Sequence, residues 1–371
     1  MFLQQTKFFL QICAVTFAIA FVTSAQTATP TPVEDDDPVR VDTEEIKVNV
    51  SAFDRYGEFV PEVDKKDLVI MEDDRLHQAT SVRRIPANVL IVLDTGGELR
   101  QIKNMTQTRE TAKALVRKLD SGNSIAILEY HDKARILTEW TTNKFKVYED
   151  LDKKLIFGRR SIFTDALKLA TEFLSKSEVE NRHLVLITDG TDSLWSDERR
   201  AEVLQKLLGT NINVHVISYT RLELTDIEPR AKGIQKGQVK KALPPEVIET
   251  LPNGVRDVAK APQMASVNTD RKFIKTMKER QEALEKSEKY LLNLSESTSG
   301  LFILPDDQEE MIEKTALVAK AIDSNYVVTY TPKRPLSESK TGETRNIEVS
   351  SRKQGLQVLA KRKLVVSGEN K

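Results

Sequence analysis

Asn88-Val-Leu-Ile-Val-Leu-Asp94-Thr-Gly-Gly-Glu98-Leu99 is the stretch on which the fold turns. An unbroken apolar run that closes on a carboxylate, then on glycines, and then gives way to helical spacing reads as a strand buried on both faces. Such a strand delivers Asp94 to the edge of a sheet, which makes it the first candidate functional residue.

Downstream, Leu99 to Leu119 carries apolar residues at helical spacing (Ile102, Ala112, Leu115, Val116, Leu119), and Ser121-Gly122-Asn123 closes it as a helix stop. Strands are expected at Ile125 to Tyr130 and Ala134 to Trp140, helices at Phe145 to Leu155 and Asp165 to Leu174, and a second buried strand at His183-Leu-Val-Leu-Ile-Thr-Asp189. A helix over Ser196 to Leu208 and a strand over Ile212 to Tyr219 follow. Strands alternating with helices of these lengths predict an α/β, doubly wound, mostly parallel sheet of the Rossmann-like kind. In such sheets ligands sit beyond the carboxyl ends of the strands, where the strand order reverses.

From Arg221 to about Glu285 the alternation lapses. Pro229, Pro244, Pro245, Pro252 and Pro262 interrupt it, basic residues outnumber acidic ones, and only 271–294 has helical spacing. A basic insertion over 221–285 is expected, either functional or a solvated excursion. Regularity returns with a helix to Ser297, a short strand at Leu301 to Leu304 and a helix over Glu309 to Ile322 opened by Asp306-Asp307. The tail reads as β: Tyr326 to Tyr330, Asn346 to Val349, Leu356 to Leu359 and Leu364 to Val366.

Upstream, Ile46, Val48, Val50 and Ala52 alternate with Lys47, Asn49 and Ser51, and Glu72-Asp-Asp-Arg75 suits a hairpin turn after the strand that begins at Leu68. A module of about 45 residues buries too little surface to stand alone. The tail strands are expected to complete it. The organisation expected is therefore a signal peptide at 1–25, a disordered linker at 26–38, an N-terminal β module at 39–85, an α/β domain at 86–323 containing the 221–285 insertion, and C-terminal strands at 324–367 that complete the β module.

The first residues carry that signal: Lys7, an apolar core from Phe8 to Val22, and the small-residue site Thr23-Ser24-Ala25. A retained anchor is the alternative, and no second apolar run of spanning length follows. Secretion, or release into the periplasm or cell envelope, is the expected location, with no transmembrane span after cleavage. The single cysteine, Cys13, lies in this leader. The mature chain then has no disulfide, no thiol nucleophile and no cysteine metal site. Residues 26–38 combine Thr, Pro and the acidic run Glu34 to Asp37, too little apolar area to order themselves. The 371-residue chain is 39% hydrophobic and 30% charged with a net charge of +0, so it has no global basic field with which to grip nucleic acid.

Taken together, the strand ending in Asp94, the strand ending in Thr188-Asp189-Gly190, and the turn Gly158-Arg-Arg-Ser161-Ile-Phe-Thr-Asp-Ala-Leu167 resemble a von Willebrand factor type A domain. The flanks Val48 to Gly57, Lys66 to Asp73, Ser297 to Asp306 and Asn325 to Pro332 are similar to those of the secreted acidobacterial von Willebrand A-related group. The resemblance covers roughly residues 40–367, with 221–285 unmatched. It implies a protein-binding or adhesion role through a metal-ion-dependent adhesion site, in which Asp-x-Ser-x-Ser, a Thr and an Asp surround a Mg²⁺ or Mn²⁺ ion. A hard divalent ion takes oxygen ligands and keeps an open position for a partner's carboxylate. Here the pattern is degenerate. Asp94 matches the first Asp, Gly96 and Glu98 stand at the two serine positions, Ser161 rather than Thr164 falls at the Thr position, and Asp189 matches the last Asp. Asp94, Glu98, Ser161 and Asp189 are thus the candidate ligands for Mg²⁺, Ca²⁺ or Mn²⁺. If no ion binds, either a basic side chain such as Arg159 or Arg160 compensates the carboxylates or one of them turns to solvent.

Other chemistries fit less well. Asp94-Thr-Gly96 spells half an aspartic-protease site, but no second Asp-Ser/Thr-Gly occurs. Gly96-Gly97 is followed by Glu, not by the residues of a phosphate or dinucleotide loop. His77, His131, His183 and His215 read as separate packing or surface residues. Trp140 and Trp195 read as packing anchors, Trp195 also as a residue that sits exposed beside the site. No nucleophile elbow or zinc-protease motif appears. The function expected is an exported, non-catalytic protein that binds another protein through the loops at Asp94 to Glu98, Arg159 to Ser161 and Asp189 to Ser193. The alternative is a metal-dependent hydrolase using the same carboxylates.

Overall fold

A computed structural model describes residues 44–97, 105–235, 249–252, 256 and 266–366, all within the compact unit that begins at Glu44. The expected leader, linker and Cys13, the candidate ligand Glu98 and most of 236–265 lie outside the described residues. In chain order the elements are β1 (Ile46–Asp54), β2 (Leu68–Glu72), β3 (Arg75–His77), β4 (Ala79–Arg83), β5 (Asn88–Asp94), α1 (Met105–Lys118), β6 (Ser124–Tyr130), β7 (Ala134–Thr141), α2 (Lys144–Lys153), α3 (Phe163–Ser175), β8 (Arg182–Thr188), α4 (Asp197–Leu208), β9 (Asn213–Ser218), α5 (Thr220–Ala231), β10 (Ile234–Gln235), β11 (Ser266–Val267), α6 (Arg271–Ser297), β12 (Phe302–Ile303), α7 (Gln308–Asp323), β13 (Asn325–Tyr330), β14 (Thr344–Ser351) and β15 (Leu356–Val365).

The fold is α/β. Six strands in the order β12-β9-β8-β5-β6-β7 form a sheet that is parallel except for β7, which runs antiparallel at one edge. All seven residues of β5 are buried because helices cover both faces. Val89, Ile91 and Leu93 join one core with Leu115, Leu151 and Met311 from α1, α2 and α7. Leu90 and Val92 join the other with Phe163, Val203 and Leu291 from α3, α4 and α6. Each such side chain contributes about 1.5–3 kcal/mol through burial, which is why the central strands are continuous apolar runs.

The chain leaves β5 toward β6 on one side and returns to β8 on the other. The strand order therefore reverses between β5 and β8, and the crevice of a doubly wound sheet opens there. Asp94 and Asp189 stand at that point.

A second, antiparallel sheet has the order β3-β2-β14-β15-β1-β13-β4. Strands from both ends of the chain interleave in it: β1 lies between β13 and β15, with Val48 opposite Val328 and Ala52 opposite Val358. Asp73 and Asp74, both at positive φ (46° and 63°), make the two-residue turn that joins β2 to β3, the conformation whose twist suits a tight hairpin. The two sheets meet through polar contacts. Lys47 Nζ and Arg83 Nη2 both reach Glu180, at 2.6 and 2.5 Å, and Asn49 Nδ2 donates to Asn211 O at 3.1 Å.

The structure corrects the sequence reading at three places. The two strands expected at Leu356 to Leu359 and Leu364 to Val366 are one, β15 (Leu356–Val365), because Arg362 takes a buried position in the alternation between Ala360 and Leu364. Thr220 to Ala231 is helical although the apolar pattern lapses at Arg221. Its buried positions, Thr220, Glu223, Ile227 and Ala231, keep helical spacing, but two of the four are polar. The long helix α6 is packed, not peripheral: Met277 and Leu284 form a small core with Ile227 and Ala231 of α5, and Leu291 and Leu294 enter the core of the six-stranded sheet.

Candidate functional site

Asp94 is fully buried at the end of β5. Its Oδ1 accepts the Gly96 N–H at 3.1 Å and the Ser161 hydroxyl at 3.0 Å, and its Oδ2 accepts the Thr188 hydroxyl at 3.0 Å. Thr188 Oγ1 in turn accepts from the Tyr130 hydroxyl at 2.6 Å and the Gly190 N–H at 2.7 Å. Burial, and then the nearby Asp94 and Asp189, push the Tyr130 phenol well above its ordinary range, so it stays a donor.

The loop before α3 is pressed against this carboxylate. Gly158 N donates to Thr95 O at 3.1 Å, and Ser193 N donates to Ser161 O at 2.7 Å while Ser161 N donates to Ser193 Oγ at 3.1 Å. A Cβ on Gly96 would lie 1.9 Å from the carbonyl oxygen of Arg160. Glycine is what lets the two loops meet there. Ser161, at the position expected of the Thr, is the residue on Asp94. Thr164 instead gives both its N–H and its hydroxyl to Asp192 Oδ2, at 2.8 and 2.6 Å.

Asp189, fully buried just beyond β8, faces a different set of partners. Oδ1 accepts the Thr191 N–H and hydroxyl, both at 2.7 Å, and Oδ2 accepts Arg280 Nη2 at 2.9 Å. The same Nη2 lies 2.5 Å from Glu223 Oε2 on α5, and Arg280 Nη1 donates to Thr191 Oγ1 at 2.8 Å. Burial alone would lower the Arg280 pKa, but Asp189 and Glu223 together raise it further above its already high value. Gly190, at φ +66°, makes the turn after Asp189 against α6, where a Cβ would come within 2.6 Å of Ser287 Oγ. Ser287 donates to Asp189 O at 2.5 Å.

The expected site residues Asp94, Ser161 and Asp189 are therefore brought to one sheet edge, and Glu98 lies outside the described residues. Arg159 and Arg160, expected as possible compensating bases, are exposed. Their backbone amides cap Asp132 at 3.2 and 3.1 Å and hold its carboxyl below the usual range. Arg280, from the segment expected to be an insertion that is either functional or a solvated excursion, does bring a positive charge to Asp189 and Glu223. Its signal in the sequence is a charge set inside the buried stripe Met277, Leu284, Ser287, Leu291 of α6. Among the described residues, no group of three or more His, Cys, Asp or Glu side chains is placed to hold a metal ion.

Beside the carboxylates, Thr191, Asp192, Ser193, Trp195, Arg280, Ala283 and Lys286 line an open cleft of about 300 Å³. Trp195 is 36% exposed and rests on the buried Arg200 guanidinium, 3.7 Å from its ring, with Lys286 4.0 Å away. Leu194, next to it, is 48% exposed. At the opposite end of the sheet the histidines are not all separate. His183 Nδ1 and His215 Nε2 lie 3.0 Å apart, His183 Nε2 reaches Asn181 Oδ1 at 2.8 Å, and Leu301 N donates to His215 Nδ1 at 3.2 Å.

Residues 89–191, under half of the chain, match the family described as von Willebrand factor type A domain. Among solved structures the chain is similar to a von Willebrand factor type A protein from Catenulispora acidiphila (10% identity, 88% of this chain and 74% of that one, TM-score 0.41). It is also similar to BatB from Bacteroides thetaiotaomicron (15% identity, 63% and 99%, TM-score 0.35) and to the manganese-loaded TRAP protein of Plasmodium vivax (12% identity, 80% and 97%, TM-score 0.35). No curated protein matches.

Proposed function

We propose that this chain, which carries a von Willebrand factor type A domain over residues 89–191, is an exported, non-catalytic protein that binds another protein through the carboxyl edge of its parallel sheet. The observation that carries this reading is the set of side chains presented at the strand-order reversal. Leu194 and Trp195 stand exposed on the loop after β8, and that loop is fixed to the loop before α3 by the paired Ser161 and Ser193 hydrogen bonds. Exposed apolar groups on rigidly held loops suit partner recognition. Export rests on the leader-like residues 1–25, and no helix of the described residues is long and apolar enough to cross a membrane.

Asp94, Ser161 and Asp189, with Glu98, are read as a degenerate adhesion-type site, and the oxygens of Asp94, Ser161 and Asp189 tie loops together. A hydrolase using these carboxylates would need a substrate to reach Asp94 and Asp189, and both are fully buried. The test is capture from envelope extract by the immobilised mature protein, compared with Leu194→Glu and Trp195→Ala at the edge. Phe145→Ser is the control, because Phe145 is 82% exposed on α2, far from this edge. Proteins retained by wild type and control but lost from both edge variants are the expected result. Retention indifferent to the edge variants, or turnover of generic ester or peptide substrates, would overturn the reading.

A further inference from the structure

α6 carries a buried stripe at heptad-like spacing: Met277, then Leu284, Ser287, Leu291 and Leu294. Arg280 falls in the middle of that stripe, where the spacing calls for an apolar residue, and its side chain is only 22% exposed. A charge at such a position is strongly unfavourable unless it is paired and hydrogen-bonded. Here two carboxylates wait for it on two other elements: Asp189 beyond β8 and Glu223 on α5, 0% and 5% exposed at their side chains. Thr191 completes the ring, taking a hydrogen bond from Arg280 Nη1 and giving its own to Asp189 Oδ1.

Among the described residues, the donor set does not suit a hard divalent ion, which wants several oxygens turned toward one point. Asp189 Oδ2 is turned toward a guanidinium. Both Asp94 oxygens accept hydrogen bonds from within the protein, and the Ser161 proton is one of them. At the first serine position, Gly96 has the Arg160 carbonyl where a side chain would begin. A divalent ion entering here would also meet the fixed positive charge of Arg280.

We infer that the Arg280 guanidinium, carried by α6 to lie between Asp189 and Glu223, is the resident cation of this sheet edge and takes the charge-balancing part that a divalent ion plays in an adhesion-type site. The type A domain of this chain then keeps its edge ordered without metal, and α6 is the clamp that holds the loop after β8. This rests on the reading of the edge as the working face. It is tested on metal binding and stability rather than on partner capture, so either can fail alone.

The test has two arms on the mature protein. Calorimetric titration with Mn²⁺ and with Mg²⁺ should give no saturable heat, and Tm should be the same in EDTA as in millimolar Mn²⁺. A stoichiometric, saturable ion that raises Tm, and that is lost in Asp189→Asn, overturns the inference. In the second arm, Arg280→Met removes the guanidinium shared by two buried carboxylates and should lower Tm by roughly 10 °C or prevent folding. The triple variant Asp189→Asn, Glu223→Gln, Arg280→Met should recover most of that loss. A triple variant no more stable than Arg280→Met, or an Arg280→Met protein as stable as wild type, contradicts the assignment.

Discussion

At Gly96 a single missing Cβ decides the shape of the edge. Restoring the hydroxyl that an adhesion-type motif would carry, by Gly96→Ser, places a Cβ 1.9 Å from Arg160 O, so the loops must part. Overpacking of this kind costs about 1–3 kcal/mol, and the broken loop contacts add to it. Ser161→Ala removes one hydrogen bond to the buried Asp94 and should cost about 1–3 kcal/mol, since an acceptor is left short of a donor. Urea unfolding of both variants measures these losses. A Gly96→Ser protein as stable as wild type would mean that the two loops do not meet as described. The residues at this edge were legible in the sequence where they end apolar runs, as Asp94 and Asp189 do. Arg280 was not, because a lone arginine in a charged helix looks solvated until the partner carboxylates are seen, and Glu223 is hidden in the same way on α5.

Among the elements, β8 and β9 carry a pH-sensitive contact. Leu301 N–H fixes His215 Nδ1 as an acceptor, so His215 Nε2 donates to His183 Nδ1 and His183 Nε2 donates to Asn181. This relay holds only while both rings are neutral. Burial lowers His215 to about 4, and burial together with His215 lowers His183 well below its usual range. In the unfolded chain both rings titrate near pH 6.5, so below that pH the unfolded state binds more protons than the folded one. Stability from this pair is therefore complete above about pH 6.5 and falls as the pH drops toward 4. Urea unfolding at pH 7.5 and pH 4.5 should show the loss, and the NMR signals of the two buried imidazoles should not shift above pH 5. Shifts near pH 6.5 would contradict the buried relay. Strands and helices with an unbroken period, such as β5, β8 and α3, could be read from residues alone. α5 and β15 could not, since Glu223 and Arg362 stand at buried positions and interrupt the pattern that signals burial.

At the scale of the whole molecule, strands from early and late in the chain build one sheet around β1, whose neighbours β13 and β15 both come from Asn325 onward. Ending the chain after Asp323 strips β1 of both partners and exposes its apolar face, so the truncated protein should be insoluble or should aggregate. A soluble truncated protein with an unchanged circular dichroism spectrum would show that the α/β domain does not need the antiparallel sheet. The interleaving was legible because short alternating strands at each end cannot stand alone; the packing of α6 across the edge was not, because its partners lie on elements about 50 to 90 residues earlier in the chain and pair by charge rather than by periodicity. The charge at that edge is what holds the loop after β8 to α6. Crystals of the mature protein grown in Mn²⁺ and measured at the manganese absorption edge test it most directly. No anomalous peak is expected within coordination distance of Asp94 or Asp189, with the Arg280 guanidinium seated between Asp189 and Glu223. A manganese peak bound by Asp94, Glu98, Ser161 or Asp189, with Arg280 turned away, would contradict it.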